Sequence, residues 1–63
     1  MTTLKRGKYT FKSYYLDGDF DDYGIEVYEG EELVRDIKAP SITLTGIKEL
    51  SDIEFKQWIY DNI

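Results

Sequence analysis

Tyr9, Phe11, Ser13 and Tyr15 fall on one face of an extended chain, and Lys8, Thr10, Lys12 and Tyr14 fall on the other. That alternation, in a stretch rich in Tyr, Thr and Phe, predicts a strand over about residues 7–16. Tyr23, Ile25 and Val27 alternate with Gly24, Glu26 and Tyr28 and predict a second strand to about Glu29. Gly30, between Glu29 and the Glu31-Glu32 pair, is the expected tip of a tight hairpin. Residues 33–38 read as a third strand, less cleanly two-sided. Pro40 has no N–H to give to a ladder and should end that strand or open the next. Ile42 and Leu44 share a face between Ser41 and Thr45, which predicts a short fourth strand ending at Gly46.

The period then changes. Ser51-Asp52-Ile53-Glu54 has the form of a capping box, Leu50 and Phe55 stand at the positions of a hydrophobic staple, and a helix is predicted over about residues 52–62. At 100° per residue, Phe55, Trp58, Ile59 and Ile63 form one stripe, with Trp58 expected to be largely buried against the sheet. Ile53 and Tyr60 lie together nearly opposite that stripe. So short a helix is marginal alone, and the stripe must pack on the sheet. The expected architecture is a single α+β domain spanning residues 1–63: a three- to four-stranded antiparallel β-meander with one C-terminal helix on one face.

Composition narrows the chemistry. The 63 residues include neither Cys nor His, so disulfides, thiolate metal sites, thiol nucleophiles and imidazole bases are excluded. No phosphate-binding Gly-rich loop and no nucleophile elbow is present. A chain of this size can hardly wall off a cleft that raises a carboxyl pKa, so a non-enzymatic protein without a cofactor is expected. No run of apolar residues exceeds three, against roughly 20 for a membrane-spanning helix, and the expected location is the cytoplasm.

Charge is segregated along the chain. Lys5, Arg6, Lys8 and Lys12 are the only charged residues of positions 1–16, and eight acidic residues with no basic one fill positions 17–32. Asp17, Asp19 and Asp21 match the first three ligand positions of a calcium loop. Asp22 stands where that loop needs Gly and Tyr28 where it needs Glu, so a solvated acidic turn is the expectation. The basic strand carries Tyr9 and Phe11, but a net charge of −5 opposes binding to nucleic acid. Pairing of basic strand with acidic strand accounts for the pattern instead. One helix covers one face of a small sheet, which leaves Tyr14, Tyr28, Ile53 and Tyr60 as the candidate partner-binding residues. The expected function is therefore a protein-interaction or regulatory module that binds another protein or a second copy of itself. A charge-mediated regulator that offers its carboxylates to a basic protein, in imitation of nucleic acid, is the alternative.

Overall fold

The computed structural model describes residues 2–15 and 23–63. Four strands, β1 (Thr3–Arg6), β2 (Tyr9–Tyr15), β3 (Tyr23–Glu29) and β4 (Glu32–Lys38), precede two helices, α1 (Leu44–Glu49) and α2 (Asp52–Asn62). The strands form one antiparallel sheet in the order β1-β2-β3-β4. The meander and the C-terminal helix agree with expectation. The acidic segment bearing Asp17, Asp19 and Asp21, expected as a solvated turn, lies outside the described residues.

The strand count of four is reached by a different route from the one the sequence suggests. The predicted first strand is shorter, beginning at Tyr9, because Gly7 and Lys8 form a two-residue turn from Arg6 to Tyr9. Residues 3–6 then pair back as an edge strand that their sequence barely announces, with Leu4 its one apolar residue. The predicted strand over 41–45 is absent. Thr43 instead caps α1, its Oγ1 accepting the N–H of Gly46 at 3.1 Å, and Leu44 and Ile47 go into the core. Spacing of three residues along a helix, rather than two along a strand, puts those side chains on one side. Gly46 lies inside the helix and stops nothing.

Pro40 does end the ladder. Ala39 before it takes a left-handed φ of 47°, yet still donates its N–H to Tyr23 O at 2.9 Å. The Tyr23 hydroxyl lies 3.0 Å from the carbonyls of both Pro40 and Ile42, which pins the connection from β4 to α1. Gly30 forms the β3–β4 hairpin tip as predicted, with φ of 66°. Between Val27↔Arg35 and Tyr28↔Leu33 the register slips by one residue, making Val34 the extra residue of a bulge. That slip explains why residues 33–38 do not alternate cleanly.

The core is Leu4, Phe11, Ile25, Val27, Leu44 and Ile47. Phe11 carries no exposed surface and meets Phe55 edge-on at 6.1 Å and Trp58 at 5.8 Å. Phe55, Trp58 and Ile59 of the α2 stripe therefore face the sheet as read, but Ile63 is exposed and Trp58 is half-buried rather than largely buried. α1 lies against β1 and β2 and takes up the sheet area that a single helix would have covered. The capping box is complete: Ser51 Oγ accepts the Glu54 N–H at 3.2 Å, and Glu54 Oε1 accepts the Ser51 N–H at 3.1 Å.

Candidate functional site

The helices cover the sheet face that bears Leu4, Phe11, Ile25 and Val27, so alternation sends Lys12, Tyr14, Glu26 and Tyr28 to the opposite, open face. Asp36 and Lys38 of β4 join them there, as does Leu33, which pairs with Tyr28. Tyr14 pairs with Gly24 across the β2–β3 ladder, and its ring lies over that glycine; a Cβ on Gly24 would overlap it. The ring reaches β4 by this route, and the Tyr14 hydroxyl donates to Asp36 Oδ1 at 2.6 Å. Lys38 Nζ lies 3.4 Å from Asp36 Oδ2 and 5.9 Å from the Tyr14 ring centre. Beside this group Lys12 Nζ sits 5.0 Å from the Tyr28 ring centre, and Lys12 is directly opposite Glu26. The basic strand thus runs beside the acidic one, as its charges suggest, and Lys8 adds an ion pair to Glu29 at 3.4 Å.

These contacts stabilise the ordinary charge states. The Tyr14 hydrogen bond, with Lys38, holds the Asp36 carboxyl below its usual range, and the Ser51 N–H does the same for Glu54. Asp36 raises Lys38, and the charge of Glu29 raises Lys8. Tyr14 is raised by its bond to Asp36, and Tyr28 by burial and then by Glu26. Two depressed carboxyls stabilise the fold above the unfolded value near about pH 4, and that contribution is lost as pH falls through their folded values. The four raised groups stabilise the fold while protonated, and their contribution fades as pH climbs past about 10. Melting temperature is therefore expected to fall on both sides of a neutral plateau. Thermal melts of Asp36→Asn combined with Glu54→Gln should show a shallower acid limb; an acid limb identical to wild type would contradict the assignment.

The structure does not unite the four candidate partner-binding residues. Tyr14 and Tyr28 lie half-buried on the open sheet face, each already engaged by neighbours. Ile53 and Tyr60 project from the outer side of α2, beyond the helical layer, at 82 % and 84 % exposure. The molecule thus has two separate faces. Leu33, 47 % exposed next to Tyr28, belongs to the open face and was not apparent from sequence because the bulge puts it there. Among the described residues no three Asp or Glu side chains converge as metal ligands. Among the same residues, no helix is long and apolar enough to cross a membrane. No protein-family model, curated protein or solved structure matches the chain.

Proposed function

We propose that this chain is a non-catalytic protein-interaction module of the cytoplasm that docks a partner protein on the outer face of α2. One observation carries the reading: Ile53 and Tyr60, seven residues apart and so on one side of the helix, are each more than four-fifths exposed. Phe55, Trp58 and Ile59 already serve the helix's own packing, so the second row contributes nothing to the core. Lys56 and Gln57 flank the row on the same helix, with Glu54 and Asp61 beyond them, which favours a partner with an apolar socket and a polar rim of mixed charge.

The combined substitution Ile53→Asp and Tyr60→Asp is expected to leave the circular dichroism spectrum and melting curve close to wild type while abolishing retention of the partner in a pull-down. Loss of fold would show that the row is core. A folded double variant that still held the partner would move binding to the open sheet face, around Tyr14, Tyr28 and Leu33.

A second reading, charge-mediated binding of a basic protein, draws on the β3–β4 hairpin, where Glu29 stands directly opposite Glu32 and Glu31 is exposed between them. Lys8 offsets part of that charge, which ranks this reading second. Salt separates the two: carboxylate-mediated binding weakens steeply towards physiological ionic strength, and binding through Ile53 and Tyr60 barely responds.

A further inference from the structure

We infer that the free edge of β4 pairs antiparallel with the same edge of a second copy, in a register centred on Ile37. Among the described residues β4 is the last strand in the sheet order. Ala39 donates to Tyr23 O, so the alternation of an antiparallel ladder turns the backbone groups of 39, 37 and 35 towards β3. The N–H and C=O of Asp36 and Lys38 therefore point outward, available to another strand.

Directly opposed residues of an antiparallel pair share a face, so only a few registers are open to β4 paired with itself. Centring on Asp36 would set two Asp36 carboxylates against each other. Centring on Ile37 puts each Asp36 opposite Lys38 of the other copy, and both such pairs exchange their backbone hydrogen bonds. Asp36 and Lys38 already lie 3.4 Å apart within one strand. The reversed pair of the second copy beside them gives four charges alternating in sign on the open face. On the helix side the two Ile37 side chains meet at the two-fold axis. Ile37 and Val34 are only half-buried in one chain, because the helical layer lies towards β1 and β2. Charge, backbone and apolar surface agree on one register.

The bulge at Val34 and the left-handed Ala39 before Pro40 confine the ladder to a few residues. Both copies use β4, so this contact closes as a dimer and does not itself propagate. An interface this short falls well below the ~800 Å² per partner of a standard complex, and the dimer dissociates on dilution. The inference is independent of the α2 docking face, which remains free in it.

Light scattering across a concentration series should show the mass doubling towards the highest concentrations. Asp36→Lys and Lys38→Asp should each stay monomeric there, with circular dichroism reporting intact fold. An equimolar mixture of the two should dimerise again, since one copy then offers two lysines to the two aspartates of the other. The chain has no Cys of its own, and opposed residues of a non-hydrogen-bonded pair approach to ~4.5 Å between Cα atoms, within disulfide range. Ile37→Cys should thus form a disulfide dimer under mild oxidation, whereas Asp36→Cys and Lys38→Cys should form little. A wild-type chain that stays monomeric throughout overturns the inference. So does a mixture of folded charge variants that fails to pair, or a dimer removed by Ile53→Asp with Tyr60→Asp.

Discussion

Phe11→Ala is expected to leave the chain largely unfolded at room temperature. Deleting a fully buried Phe side chain typically costs about 3–5 kcal/mol, and a domain this small rarely holds more than ~3–5 kcal/mol in total. Phe11 has the further disadvantage of being the junction of two layers. Its ring contacts Tyr9 on the same strand at 6.2 Å, and Phe55 and Trp58 of α2 at 6.1 and 5.8 Å. No other fully buried aromatic among the described residues stands between sheet and helix, so the cavity cannot be filled without moving α2. Trp58→Ala should cost roughly half as much, because half-burial removes less apolar surface from water in the first place. Urea titrations of both variants check the order. A Phe11→Ala protein melting close to wild type, or a Trp58→Ala protein that is the more damaged of the two, would mean that α2 is not held by this ring.

The ease with which each part could be read from sequence follows the range of the forces that make it. α2 was legible to the residue because its start depends on a box of four consecutive residues, Ser51 to Glu54, and its inner stripe on a fixed period. β2 and β3 were legible for the same reason, through alternation. β1 was not, since Thr3–Arg6 contains one apolar residue and becomes a strand by pairing with β2 across a turn at Gly7. α1 resembles a strand in sequence because Ile42 and Leu44 satisfy a strand's period by accident, while Leu44 and Ile47 satisfy a helix's. The outer row of α2 needs only helical geometry, so the exposure of Ile53 and Tyr60 is legible in the sequence. The Tyr14–Gly24–Asp36 arrangement spans three strands, and it follows from two registers and a glycine that no local pattern specifies.

Arg6 illustrates the same limit. In sequence it is one of four basic residues at the chain start; in the fold it joins three elements. From the end of β1 its guanidinium donates to Ile47 O at 2.7 Å, and lies 3.5 Å from Lys48 O and 3.3 Å from Asp52 Oδ1. It also stacks 4.3 Å above the Phe55 ring. The carbonyls of Ile47 and Lys48 belong to the last turn of α1, where Ile47 O otherwise receives only the long 3.4 Å bond from the Leu50 N–H. The carbonyl and ring contacts matter and the ion pair does not. Asp52 is 99 % exposed in its side chain, and an ion pair so open to water contributes about 0–1 kcal/mol. A charged donor on a part-buried carbonyl is worth about 1.5–3 kcal/mol, with a cation over an aromatic face adding ~0.5 kcal/mol or more. Arg6→Ala should therefore destabilise the fold by roughly 2–3 kcal/mol, and hydrogen exchange should show α1 opening first. Arg6→Lys should recover only a minor part, because an ammonium is a compact point charge without the planar group that reaches the α1 carbonyls through Nη1 and Asp52 through Nη2 while stacked on Phe55. Asp52→Asn should cost less than about 1 kcal/mol. Equal losses for Arg6→Ala and Asp52→Asn would show that the ion pair, and not the clasp on α1, is what Arg6 supplies.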